Sequence, residues 1–144
     1  MGYNVISIFG EMRKQQIKTI NKVLSALAEQ NRLRIMASLR LRKMAVCEIR
    51  ELLKLSFSTV SKHLSILKEA GLIDFEKEGK WVNYEINQDL PPEIKKILDQ
   101  VLSFVSQDEQ IKEDLKVARF LDRNKICPLT GATSKLKIPR RNKL

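Results

Sequence analysis

The spacing of apolar residues predicts a mainly α-helical chain with one β-hairpin. Over most of the sequence, apolar side chains recur every three or four residues, as in amphipathic helices. Between residues 73 and 86 the period changes to two around a glycine-centred turn, which is typical of a two-stranded hairpin. The 144 residues are enough for one domain with a modest core. The predicted class is therefore α+β, mainly α.

Four helices are predicted before the hairpin. The apolar pattern places them over residues 11–28, around residues 33–39, over residues 47–54 and over residues 56–70. Ser56 stands where an N-cap would satisfy the first free backbone N–H groups of the fourth helix. Gly71 stands where that helix would stop. The third and fourth helices are short and separated by a tight turn.

Two further helices are predicted after the hairpin. Pro91 and Pro92 open the first, which extends to about residue 105, and the second covers residues 108–122. The remainder, which contains prolines, a glycine and many bases, has the composition of a loose tail. A short helix, a turn, a second helix and a hairpin in this order make a winged helix-turn-helix.

The charge of the chain indicates a polyanionic partner. The formal net charge is +10, and the excess is spread along the sequence. The last ten residues hold five bases and no acid. This basic end can add nonspecific phosphate contacts, or it can serve only to keep the chain soluble.

The sequence also bears on compartment and redox state. No apolar run approaches the roughly 20 residues that span a bilayer, and the start lacks the charged region of a signal peptide. We therefore expect a cytoplasmic protein with no membrane partner. In that compartment Cys47 and Cys127 are expected to be free thiols rather than a structural disulfide.

The predicted fourth helix has two distinct faces. At about 100° per residue, Val60, Leu64 and Leu67 fall on one stripe that must face a core. Ser61 and Lys62 fall on another face, together with further serines. Hydroxyls and a cation on an exposed face can be simple solvation, and they are also what a helix needs against phosphates and base edges in a major groove.

Three blocks of sequence resemble the ArsR/SmtB family of small bacterial and archaeal repressors. They are ALAEQNRLRIMASL, STVSKHLSILKEAGLI and EKEGKWVNYEI, within residues 20–105. The resemblance implies that the first and post-wing helices pair two subunits and that the homodimer leaves operator DNA when an effector binds. It suggests a DNA-binding and dimerisation domain over residues 1–106, followed by a C-terminal helix and basic tail over residues 107–144.

The resemblance also implies which residues meet DNA. The predicted contacts in the major groove and on the wing are Ser58, Thr59, Ser61, Lys62, His63, Lys77 and Lys80. For His63 a structural role is the alternative. Phe57 can either pack at the edge of the core or meet a thymine methyl group. Trp81 is expected to be buried at the core or sheet edge, and packing against the base of the wing is the alternative.

The effector is left open by the sequence. Zinc sensors of the family use histidines and carboxylates in the post-wing helix, whereas residues 91–106 here offer only Glu93 and Asp99. Arsenite sensors carry a Cys-Val-Cys pair, and in KMAVCEIREL Ala45 replaces the first cysteine while Cys47 keeps the second.

Cys47 and Cys127 are therefore the candidate effector residues. Two thiols suit a thiophilic ion or methylated arsenical, an oxidant or reactive sulfur species, or a site shared across the dimer. Inert, buried cysteines are the remaining possibility. No cofactor is firmly indicated.

The sequence also bears on two other classes of protein. An enzyme is disfavoured, because no suitably spaced carboxylate pair, Gly-rich phosphate loop or second histidine accompanies the candidate nucleophile. A winged-helix protein that binds DNA without a thiol effector, in an architectural or protein-interaction role, is the alternative to an effector-controlled repressor.

Overall fold

The computed structural model describes residues 15–127, which form seven helices and three strands. In chain order they are α1 (Gln16–Leu27), α2 (Gln30–Leu41), β1 (Met44–Ala45), α3 (Val46–Leu53), α4 (Phe57–Glu69), β2 (Ile73–Glu78), β3 (Trp81–Ile86), α5 (Pro92–Val105), α6 (Glu109–Phe120) and α7 (Arg123–Ile126). The order of α3, α4 and the β2–β3 hairpin confirms the predicted winged helix-turn-helix.

Helix α4 begins and ends where the sequence predicts. The Ser56 hydroxyl accepts a hydrogen bond from the Thr59 backbone N–H, at 3.2 Å, and so caps the first turn. At the other end Gly71 has a φ of +79°, a left-handed conformation that costs glycine little. The backbone N–H of Leu72 then bonds to the Leu67 carbonyl, which closes the helix with a Schellman-type turn.

The sheet has one strand more than predicted. Strands β2 and β3 pair in antiparallel register through a two-residue turn, in which Gly79 has a φ of +62°. The additional strand β1 pairs with the other edge of β3, with Ala45 opposite Asn83. Two residues are too few to show a period of two, so this strand had no signal in the sequence.

One core extends from α1 to α6. The predicted stripe of α4 is fully buried, because Val60, Leu64 and Leu67 are at most 1% exposed. Helix α6 contributes Ile111 and Ala118 to the same cluster. The chain after the post-wing helix therefore shares the core of the winged helix. No helix among residues 15–127 is long and apolar enough to cross a bilayer.

An ion pair fixes α6 against α2. The buried Asp114 carboxylate accepts two hydrogen bonds from the Arg34 guanidinium, at 2.7 and 2.9 Å, and a third from the Gln110 side chain at 3.0 Å. The hydrogen bond to Asp114 raises the pKa of Arg34 above its ordinary value. Because both carboxylate oxygens are bonded, the charge of Asp114 is compensated in the core.

Arg42 holds the end of α6 in a similar way. Its guanidinium donates to the backbone carbonyls of Ala118 and Leu121, at 3.0 and 3.1 Å, and to the buried Glu48 carboxylate at 3.1 Å. Glu48 also accepts from the backbone N–H of Ala45 at 2.8 Å. A cation at the C-terminal end of a helix also interacts favourably with the helix dipole. The carbonyls left free at the end of α6 are thus satisfied by a residue that also ties α3 into place.

The segment after α6 differs from the predicted loose tail. Residues 123–126 form the short helix α7, and Cys127 directly after it is buried. Residues 1–14 and 128–144 lie outside the described part of the chain, and they include the predicted start of the first helix at residues 11–14 and the C-terminal cluster of bases.

We expect Asp114→Ala to lower the free energy of unfolding by about 2–3 kcal/mol. Removing one partner of a buried pair leaves the other charge uncompensated, and the partial exposure of Arg34, at 19%, moderates the cost. Urea unfolding followed by circular dichroism measures the change. Glu113→Ala, at an exposed position of the same helix, is the matched control, and an equal loss in both variants would contradict the assigned role of the pair.

Candidate DNA-binding face and cysteine pair

Helix α4 presents hydroxyls and a cation on the side opposite its buried stripe. Ser58, Thr59 and Lys62 are exposed, and Ser61 is half-buried. The hydroxyl of Ser56 lies 2.9 Å from that of Thr59 and 3.3 Å from that of Ser58. The first turn of α4 therefore carries a cluster of three hydroxyl groups, with Lys62 one turn further along.

His63 occupies a different position from the other predicted contacts. Its side chain is only 13% exposed, and its Nδ1 lies 3.2 Å from an Arg32 guanidinium nitrogen and 3.9 Å from a Glu29 carboxylate oxygen. A guanidinium can only donate, so the ring nitrogen is the acceptor of this bond. Arg32 also donates to the Ala26 carbonyl near the end of α1, at 2.6 Å. His63 thus joins α4 to the α1–α2 corner, and a contact of its ring with DNA stays a prediction.

Phe57 is not packed as the core-edge interpretation expects. It is the first residue of α4 and is 56% exposed. The guanidinium of Arg50, on α3, lies 6.0 Å from the centre of its ring, the outer limit of a cation–π contact. The aromatic ring is therefore available at the end of the helix that carries the hydroxyl cluster.

The wing carries its two predicted lysines in the open. Lys77 lies on β2 and Lys80 in the turn, and both are exposed. Among residues 15–127, neither is joined to an acidic side chain by an ion pair. Both ammonium groups are thus accessible to an anionic partner.

Arg123 binds the base of the wing turn, in a cluster that no sequence pattern predicts. Its guanidinium lies 4.1 Å from the centre of the Trp81 ring, 2.8 Å from the Asn83 side-chain oxygen and 3.2 Å from the Glu78 carboxylate. Hydrogen bonding and charge from Arg123, with a further hydrogen bond from Asn83, lower the pKa of Glu78. Trp81 is half-buried, and its indole ring stacks on this cation.

The two cysteines form a disulfide bond, in contrast to the free thiols expected from the compartment. Cys47 lies in the first turn of α3 and is half-buried, whereas Cys127 is 5% exposed. Their α-carbons are 5.7 Å apart, within the ordinary range for a bridge. Their distance of 80 positions in the sequence hid this proximity, which depends on the docking of α6 and α7.

The other candidate metal-binding side chains do not form a cluster. Asp99 on α5 forms an exposed ion pair with Lys95, at 3.2 Å. No group of three or more histidine, cysteine or carboxylate side chains suited to a metal ion occurs within residues 15–127.

Large apolar side chains are exposed on the two helices predicted to pair subunits. On α1, Ile17 is 85% and Leu24 is 50% exposed, and their spacing of seven residues puts them on one face. On α5, Phe104 is 82% exposed. Each such side chain leaves roughly 2 kcal/mol of potential burial free energy unused in a single subunit.

The fold and its exposed features define a winged-helix DNA-binding regulator. Residues 29–74 match the family model described as bacterial regulatory protein, arsR family. Over 80 residues the chain is 35% identical to the arsenical resistance operon repressor of Escherichia coli (strain K12), covering 55% of this chain and 68% of that repressor. It is 36% identical over 80 residues to the arsenical resistance operon repressor of Bacillus subtilis (strain 168), covering 55% and 76%.

A solved structure agrees with these relatives. Reduced HlyU from Vibrio cholerae N16961 is 29% identical, with a TM-score of 0.53 over 67% of this chain and 94% of that chain. The chain belongs to the ArsR family. It is accordingly a transcriptional regulator of the type that binds DNA.

Proposed function

We propose that this chain is a dimeric repressor whose affinity for operator DNA is set by the state of Cys47 and Cys127. The observation that carries the proposal is the disulfide itself, because it joins α3, the first helix of the helix-turn-helix, to the segment after α6. A covalent change there alters the support of the recognition helix α4, which packs on α3. The names of the arsenical repressors support a repressor role that responds to a thiophilic agent.

The proposed DNA interface consists of the first two turns of α4 and the tip of the wing. The N-terminal residues of a recognition helix meet base edges in the major groove, and Ser58, Thr59 and Ser61 offer hydroxyls there. Lys62 is placed to bond a phosphate or a guanine edge. Lys77 and Lys80 add phosphate contacts beside the minor groove, which position the protein without reading sequence.

We expect Lys62→Ala to weaken DNA binding roughly tenfold, because a charge-assisted hydrogen bond is worth about 1.5 kcal/mol or more. The slope of log affinity against log salt should also fall by about one. Fluorescence anisotropy on a duplex selected by the wild-type protein from a randomised pool measures both. Lys116→Ala, at an exposed position of α6, removes the same charge and is the control. Equal losses of DNA affinity in the two variants would show that Lys62 contributes only through the net charge of the protein.

We propose that the exposed apolar residues of α1 and α5 form the dimer interface. Pairing two subunits there removes Ile17, Leu24 and Phe104 from water. A two-fold assembly would also present two α4 helices to successive major grooves, as palindromic operators require.

Phe104→Glu should convert the protein into a monomer at micromolar concentration, because each interface would then bury an unpaired carboxylate. Sedimentation velocity measures the change, with unchanged circular dichroism as the check on folding. DNA affinity should fall with it. A wild-type protein that sediments as a monomer would count against the proposed interface.

The proposed thiol step is the two-electron oxidation of both cysteines by hydrogen peroxide. The sulfur of Cys47, the more exposed of the two, attacks one oxygen. An S–O bond forms, the O–O bond breaks, and the first water leaves. The thiol of Cys127 then displaces the hydroxyl of the sulfenic acid as a second water, and the S–S bond forms. The sulfurs lose two electrons, and the peroxide gains them; a dithiol reductant reverses the change by exchange.

A trivalent arsenical or soft metal ion bridging the two thiolates is the second candidate effector. The short distance between the two α-carbons suits either chemistry, because one thiophilic atom can bond to both sulfurs. The remaining alternative is a DNA-binding protein whose cysteines are structural and do not respond to an effector.

We expect the Cys47→Ser and Cys127→Ser variants each to bind DNA with the affinity of the reduced wild type. Neither variant should release the DNA when the effector is added. If effector binding favours the DNA-free form by about 2 kcal/mol, wild-type affinity falls roughly thirtyfold. Anisotropy should be measured on the selected duplex with the protein reduced, treated with hydrogen peroxide, or reduced and loaded with phenylarsine oxide. These arms separate oxidation from thiol bridging.

The double Cys47→Ser, Cys127→Ser variant is the control for both arms. It should bind DNA with the reduced wild-type affinity under all three conditions. Release that persists in the double variant would show that the effector acts elsewhere, and a wild type unaffected by any treatment would favour the structural alternative.

A further inference from the structure

The short helix α7 connects the disulfide to the wing. Arg123 is its first residue, and Cys127 follows its last. The two are joined by the backbone hydrogen bond from the Cys127 N–H to the Arg123 carbonyl, at 2.8 Å. A helix of four residues is far too short to be stable alone in water. Its position therefore depends on what holds its two ends.

Arg123 makes the contacts that join α7 to the wing. Within residues 15–127, the ion pair and the ring contact of α7 both belong to this residue. The guanidinium reaches Glu78, the last residue of β2, and Trp81, the first residue of β3. Those two residues face each other across the turn that carries Lys80. Arg123 thus binds both strands at the base of the turn.

Strand β3 is also tied to the other end of the disulfide. Asn83 accepts a hydrogen bond from Arg123 at 2.8 Å, and in the sheet it pairs with Ala45, two residues before Cys47. The chain therefore closes a ring: Cys47 to Cys127 through sulfur, to Arg123 through α7, to Asn83, and back through Ala45. We call this closed path the wing ring. Opening its one covalent cross-link leaves α7 joined to α3 by noncovalent packing alone.

We propose that Arg123 is a positioning residue that makes the direction of the wing depend on the state of the Cys47–Cys127 pair. With the disulfide closed, α7 is fixed at both ends and Arg123 holds the wing turn against the body of the protein. With the thiols separate, α7 loses its covalent anchor on α3, and the wing can adjust to the minor groove. The inference rests on the proposed thiol function and assigns its path to the DNA-binding face.

Trp81 reports on this contact directly, because it is the one tryptophan of the sequence. In the wild type, the emission of Trp81 should differ between the disulfide and the dithiol forms, since the guanidinium over the ring is held only in the first. In Arg123→Gln the emission should be the same in both forms. Arg123→Lys keeps the charge without the planar fork and should restore part of the difference.

Two matched variants and one fold check accompany this measurement. Lys125→Ala, on an exposed position of the same helix, should behave as the wild type. Glu78→Gln removes a partner of Arg123 without changing α7, and it should reduce the redox difference in emission. Urea midpoints determine which variants are fully folded at the assay condition, so Glu78→Gln tests the proposal if Arg123→Gln unfolds.

The effect on function is measured by DNA affinity. Reduced Arg123→Gln should bind the selected duplex within about twofold of the wild type, while oxidation should release it less than fivefold rather than roughly thirtyfold. A wild type with no redox-dependent Trp81 emission, or an Arg123→Gln protein that keeps it, would overturn the proposal. A wild type whose Trp81 emission responds through Arg123 but whose DNA affinity does not would uphold the coupling and refute the proposed thiol control of DNA.

Discussion

The buried carboxylate of Asp114 determines where the chain after the wing must lie. A carboxylate without partners in a core costs several kcal/mol, and Arg34 satisfies both of its oxygens from α2. This pair sets the direction in which α6 crosses α2, and Arg42 then binds the carbonyls at the end of α6. Only with α6 in this orientation does the chain turn at residues 121–122 and bring Cys127 to Cys47. The thiol pair is thus a consequence of a charge pair.

The sequence predicted six of the helices and the hairpin because each of these has a local cause, whereas β1 and α7 have none that the sequence shows. The stripe of Val60, Leu64 and Leu67, the cap at Ser56 and the glycine at position 71 all act within a few residues, and all are present in the structure. Their spacing alone was sufficient. The hairpin and, to within two residues, the limits of α3, α4, α5 and α6 followed from the same kind of local signal.

The contacts between distant residues had no such signal. Arg34 and Asp114, 80 positions apart, each resemble ordinary charges on amphipathic helices. The position of Asp114 did offer one signal in the sequence. It lies three residues after Ile111 and four before Ala118, and so falls on the apolar face of α6. A carboxylate on a buried face requires a partner, although periodicity cannot name it. The sequence around Arg123 offered no comparable signal, because its partners lie on the strands of the wing.

The position of β1 explains why a thiol at Cys47 has access to two parts of the proposed DNA-binding face. Ala45 ends β1 and precedes α3, so one short segment is paired with strand β3 of the wing and continues into the helix-turn-helix. A strain applied at Cys47 would therefore act on α3 from its first turn and on β3 through Ala45. The buried Glu48 accepts the Ala45 N–H and is itself held by Arg42, which keeps this junction rigid. Since a rigid junction transmits a displacement that a loose one would absorb, the same carboxylate that stabilises the corner also makes it suitable for carrying a signal.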